Sequence, residues 1–282
     1  MNTTVNQTFN WSRFTATLRK EVVENWRAIL FTLLGTYGLL TMLMILGNIA
    51  FYNANQRELI DTMLPQKVVY AFLSIATIVV ASLSFKKLTS KTGRTEMFTS
   101  PSSTLEKFIV NGVVYVLGYI IAFFILTQLA DLTRFGALKV LGFHGFLPGP
   151  INFTNVVGDF TFGIGSEVLN TTWGKAYLWI GLLASPSVYV LGSVVWPRLS
   201  LLKTFAFIYA IEIGIFILAA IFFTICGNTE TILKTVGLWV MNHIDQSMLI
   251  AAMVMVVQTV VSWGLAWYLF KRKDVISLKW WK

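Results

Sequence analysis

The sequence predicts an all-helical integral membrane protein with six transmembrane helices and both termini in the cytoplasm, on three observations. The first is composition: 56% of the 282 residues are hydrophobic, 12% are charged, and the mean hydropathy is +0.69. A soluble domain with that balance has too little polar surface to stay solvated. The second is length, because six apolar runs approach or exceed the roughly 18 to 20 residues that a helix needs to cross a bilayer core. The third is charge, because a basic loop at 86–107, holding five of the 22 Lys and Arg residues, separates two charge-free runs. Such a loop belongs on the cytoplasmic side.

The runs cover residues 28–51, 68–85, 108–130, 176–197, 204–226 and 246–270, and only the fifth contains an ionisable group, Glu212. A membrane barrel would alternate polarity in segments of about 10 residues, and no such alternation is present. With the amino terminus inside, segments 1–27, 86–107, 198–203 and 271–282 carry 16 of the 22 basic residues. The net charge of +9 is therefore a signal of topology. It does not point to nucleic acid, because the basic residues sit at membrane edges rather than on one binding face.

Residues 1–27 form a cytoplasmic amphipathic segment. Trp11, Phe14, Leu18, Val22, Trp26 and Ile29 recur at three- and four-residue steps, with Arg13, Arg19, Lys20, Glu21, Glu24 and Arg27 on other faces. That pattern predicts a helix lying along the inner membrane surface, with a plain flanking anchor as the alternative. The six-span domain occupies 28–270, and its first apolar run reads as a retained span rather than a signal peptide. Segment 131–175, rich in Gly and aromatic residues, is expected to fold over the outer ends of the spans. Segment 227–245 has helical spacing and predicts a short outer helix, and 271–282 is a basic cytoplasmic tail.

Pro101 divides the basic loop, since it disfavours helical geometry at Ser100 and donates no backbone hydrogen bond. Upstream, 86–99 is long enough for a short helix or an ordered turn with Gly93 as its bend. Downstream, Ser103-Thr104-Leu105-Glu106 matches a capping box, which starts the third span as a helix before it enters lipid. In the fourth span, Ser185-Pro186-Ser187 predicts a kink.

Catalytic chemistry is missing from the pattern. No GxxxxGK[ST] loop occurs, and Gly163-Ile164-Gly165 lacks a strand-to-helix context. His144 and His243 fall in different outer segments, there is no HExxH, and Cys226 is the single cysteine, so neither a metal site nor a disulfide is expected. The chain reads as no enzyme, with no catalytic, cofactor or metal residues of its own. Glu212 lies nine residues after Lys203, about 13 Å into the fifth span at 1.5 Å per residue. A carboxylate at that depth faces protein or water, either lining a translocation path or subunit seam or bonding to a neighbouring span.

Residues 92–108, TGRTEMFTSPSSTLEKF, resemble the permease subunits of type-two ATP-binding-cassette exporters. Those of Bacteroidota-like genomes carry a similar LPAS.LEKF stretch, which Ser100 to Phe108 resembles. The six-span layout, the inner amphipathic helix and the short outer helix before the sixth span are also similar. The resemblance implies a dimer, with a second copy or a related permease, in a bacterial cytoplasmic (inner) membrane. It implies a separate cytoplasmic ATPase that holds ATP and Mg and docks near 86–99, at Lys86, Lys87, Lys91, Arg94, Glu96 and Phe98. Substrate would then leave through the dimer seam. The outer segment 131–175 departs from that pattern by its length. Two other readings remain: a non-transporting sensor or assembly partner working through the outer segment, and a secondary transporter or channel using Glu212. The second is weakened by the lack of other intramembrane charges and of an inverted repeat.

Overall fold

Apolar runs without breakers become long helices, because in lipid each backbone polar group must be satisfied within its own segment. The computed structural model describes residues 9–54, 63–141, 171–226 and 229–273, and every regular element among them is helical. Five helices are long and apolar enough to cross a membrane, and a sixth, α2 (Met63–Leu83), has a shorter described apolar stretch over Val69–Leu83.

Helix α1 (Trp11–Ala54) joins the leading amphipathic segment to the first span without a break. Neither Gly nor Pro occurs between residues 11 and 34, so nothing interrupts the backbone ladder. Its 44 residues reach about 66 Å, roughly twice the hydrocarbon thickness of about 30 Å. The face turned toward the fold also differs from the apolar stripe read from sequence. Phe14 is buried, with Leu18, Glu21 and Asn25 partly buried, whereas Trp11, Val22 and Trp26 are exposed.

After α2 the chain makes a tight turn over Lys86–Thr89 and forms α3 (Lys91–Thr99). A short α4 (Thr104–Phe108), a π-helical turn over Ile109–Val114 and α5 (Tyr115–Val140) follow as one rod. In that wide turn Gly112 lies so near the Trp263 ring that a Cβ would come within 3.0 Å of it. Helix α5 continues ten residues past position 130, so the first part of segment 131–175 is helical, while residues 142–170 lie outside the described ones. Near its end Asp131 and Arg134 form a buried ion pair at 2.6 Å.

Helices α6 (Thr172–Val195), α7 (Ser200–Cys226), α8 (Thr229–Asn242) and α9 (Ile244–Lys271) complete the chain. Pro186 lies inside α6 without ending it, and the Ser187 hydroxyl donates to the Ala184 carbonyl. Helix α2 is the centre: it packs against α1 and α5 and against α6 and α7, while α6 packs most extensively on α9. One apolar core, including Leu40, Leu73, Phe123 and Leu182, fills the first junction. A second, including Phe85, Met97, Val190 and Phe270, fills the end that carries the 86–107 loop.

Polar side chains tie helices inside these cores. Thr36 and Tyr119 hydroxyls meet at 3.0 Å, and Ser84 meets Ser193 at 3.1 Å. Such bonds between spans contribute about 0.6 kcal/mol each. Among the described glycines the closest approach is between α6 and α7, where a Cβ on Gly192 would stand 1.8 Å from the Thr204 hydroxyl. The connection there is short, with Leu199 in left-handed geometry at φ 56°.

Gly192→Ala is therefore expected to push α7 off α6 and to destabilise the protein by about 1–3 kcal/mol. Thermal unfolding in detergent reads the loss, and adding Thr204→Gly should recover part of it. An unchanged melting temperature would remove this contact from the account.

Candidate functional site

The side chains that carry charge near the loop are arranged by α3 and its preceding turn. Ser90 caps α3, its hydroxyl accepting from the Gly93 amide at 3.0 Å. Gly93 is not a bend: it sits in the first turn of the helix, where a Cβ would approach the Lys87 carbonyl to 2.5 Å. Only glycine lets the turn close this tightly onto α3.

That closure fixes Lys87 beside α1. Its ammonium lies 2.8 Å from Glu21, 3.0 Å from Glu24 and 3.6 Å from Glu96. Lys20 adds contacts to Glu24 and Glu96, both at 3.4 Å. Burial lowers the Lys87 pKa, but hydrogen bonds and charge from Glu21 and Glu24 outweigh it and hold the ammonium above its ordinary value. Single exposed pairs contribute about 0.2–1 kcal/mol. The five shared charges instead set the orientation of α3 on α1.

The apolar side of α3 rests on three helix ends. Phe98 stacks on Phe270 with centroids 5.9 Å apart, and Phe85 and Phe108 approach Phe270 at 5.1 and 5.7 Å. Trp263 and Trp267 present their edges to Phe108 at 5.9 and 5.3 Å. Phe85 follows α2, Phe108 ends α4, and Phe270 lies in the last turn of α9. Lys107 closes the C-terminal end of α3 by donating to the carbonyls of Phe98 and Ser100, at 3.4 and 2.9 Å.

The capping box at Ser103 and Glu106 is formed, and it reaches further than its own helix. One Glu106 oxygen accepts from the Ser103 amide at 2.8 Å, and the other accepts from the Asn10 amide at 2.7 Å and from Arg13 at 3.2 Å. The side chain is 0% exposed. Residues 103–106 thus fasten the start of α1 to the start of the α4–α5 rod.

The six loop residues proposed as an ATPase contact lie together but face different ways. Lys86 and Lys91 are exposed. Lys87 and Glu96 belong to the ion-pair network, Phe98 to the aromatic joint, and Arg94 is half-buried. Glu212 is on another element, exposed on α7, whose most apolar stretch has no buried residue. Arg13, Lys20, Glu21 and Glu24 read in sequence only as the charged faces of the leading helix, and Asn10 and Lys273 carried no signal; none had a partner assigned. The Lys20–Glu24 spacing was visible as an i,i+4 pair, but partners 63 and 66 residues away carry no local signal. Lys273 donates to the Val194 carbonyl at the end of α6.

An apolar cavity of about 200 Å³ opens where α5 and α6 diverge over α2, lined by Leu73, Thr77, Ile120, Phe124, Trp179 and Leu182, among others. Among the described residues no cluster of His, Cys, Asp and Glu is arranged to hold a metal. Comparison with family models, with curated proteins and with solved structures found no match in any of the three.

Two outcomes are expected. Glu106→Gln keeps the shape but weakens the bonds to Asn10 and Arg13, and should cost about 1–3 kcal/mol in thermal unfolding. Lys273 is brought down to about 8 by burial and by the Arg94 charge. Its folded pKa is thus below the unfolded value of about 10.4. The unfolded chain binds more protons in that window, so stability should rise as pH increases from about 8 toward 10. Melting curves across this range should show the rise in the native protein and not in Lys273→Met.

Proposed function

We propose that the chain is the permease subunit of an ATP-driven exporter, a multi-pass protein with six spans and both termini in the cytoplasm of a bacterial inner membrane. A separate cytoplasmic ATPase holding ATP and Mg docks on the loop at 86–99, and a second copy or a related permease completes the transport path. The observation that carries this reading is the seating of α3. It is tied by charge to α1 and by aromatic contact to the ends of α2, α4 and α9. Force applied to its exposed side reaches three spans and the long first helix together.

The exposed side of this element carries Lys86, Lys91, Thr92 and Thr95, so the ATPase contact is assigned to Lys86 and Lys91. Lys87, Glu96 and Phe98 transmit motion rather than meet the partner. Glu212 supports a subunit seam. On the bare outer face of α7 a carboxylate costs at least a few kcal/mol in lipid, and a facing subunit relieves that cost.

The test begins with copurification of the chain with the ATPase encoded beside its gene. Lys86→Glu with Lys91→Glu should reduce ATPase stimulation in the reconstituted complex by about tenfold or more, a loss of at least 1.4 kcal/mol in coupling, while leaving the melting temperature of the permease unchanged. Isolation as a lone chain with no bound ATPase would overturn the assignment and favour the sensor reading. Glu212→Gln is expected to change transport or subunit association, and wild-type behaviour in both would take Glu212 out of the seam.

A further inference from the structure

Two cations near the loop have no role in the coupling joint just described, and they belong together. Phe98 on Phe270 sets α3 alongside the last turn of α9. Arg94 lies one helical turn before Phe98, and the Lys273 amide donates to the Phe270 carbonyl at 3.1 Å, so both residues start from the two members of that contact. The Arg94 charge is felt at Lys273. The Arg94 Nε is shut off from solvent and has no hydrogen-bond partner. Among the described residues no carboxylate pairs with either side chain, because Glu96, on the same helix as Arg94, is taken by Lys20 and Lys87. Two neighbouring cations with an unmet buried donor form a half-site for an anion.

We propose that Arg94 and Lys273 bind the phosphate of an anionic membrane lipid. Its level in the fold favours a lipid. Lys273 donates to Val194 at the end of α6 and follows the end of α9, so the site lies where two spans stop and headgroup phosphates lie. The donor count also fits. One ammonium proton goes to Val194 and two remain, while the guanidinium offers a planar fork, matching the two free oxygens of a phosphodiester. The site does not depend on transport, and it holds α3 against α9 whether or not an ATPase docks.

Native mass spectrometry of the full-length chain in mild detergent tests this, with dioleoylphosphatidylglycerol and dioleoylphosphatidylcholine as competing probes and thermal unfolding as the second readout. The wild type should retain one phosphatidylglycerol with a preference of about tenfold or more over phosphatidylcholine, and phosphatidylglycerol should raise its melting temperature. Arg94→Gln and Lys273→Gln should each abolish the preference. Arg94→Lys and Lys273→Arg should keep much of it, which guards against loss through misfolding, and Lys91→Gln should leave it intact. No preference in the wild type, or one unchanged in both Gln variants, would overturn the proposal. So would equal stabilisation by inorganic phosphate at the same concentration, which would make the ligand a soluble anion. Asp274, next in the chain, lies outside the described residues. Phosphatidylglycerol selectivity that appears only in Asp274→Asn would show that the chain closes the site itself, and the proposal would fall.

Discussion

Phe270 is fully buried, and the arrangement of the loop depends on it. Three rings from three other elements surround it: Phe85 after α2, Phe98 on α3 and Phe108 at the end of α4. Aromatic pairs contribute about 0.5–1.5 kcal/mol beyond their buried area, and they do so only in particular geometries. A cluster of this kind resists sliding, so the ends of the spans and the loop helix move as one body. The π-helical turn at Ile109–Val114 lies directly above it, and Gly112 brings that turn against Trp263. Widened turns of this kind often accompany functional sites. Here the turn sits where α5 leaves the joint.

Charge complements that apolar contact. On one side of α3, Lys87 and Lys20 bridge Glu21, Glu24 and Glu96. On the other, Glu106 binds Asn10 and Arg13. Both sets hold α1 to the loop, at points separated by two to three helical turns along α1. Because α1 is one uninterrupted rod, a rotation imposed at its loop end is carried into its spanning part. The absence of Gly and Pro between 11 and 34 is what makes this transmission available.

The bundle itself is less symmetric than a list of spans implies. Helix α2 packs between α1 and α5 on one side and α6 and α7 on the other, and the apolar cavity opens between α5 and α6. Helix α7 touches the second core through Leu201 and Ile208 and meets α6 closely at Gly192 and Thr204. Its exposed residues are mostly apolar, and Glu212 is the one acid among them.

The helical class, the long apolar elements and the capping box at Ser103 were legible in the sequence because each depends on residues within a few positions of one another. Run length, hydroxyl-to-carboxylate spacing and the lack of breakers are local quantities. The leading helix reads in sequence as a surface element, and both its continuation into the first apolar run as one rod and the face it turns to the fold came only with the structure. Arg13 and Glu21 face inward because Glu106 and Lys87 are there to meet them, across 93 and 66 residues. Gly93 reads as a bend in sequence and proves to be a close-contact glycine, a distinction set by the position of the Lys87 carbonyl. Lys86, Lys87, Lys91 and Arg94 look equivalent as a basic run. Only tertiary packing separates exposed charges from paired and half-buried ones, because desolvation and pairing are properties of the surroundings rather than of the residue.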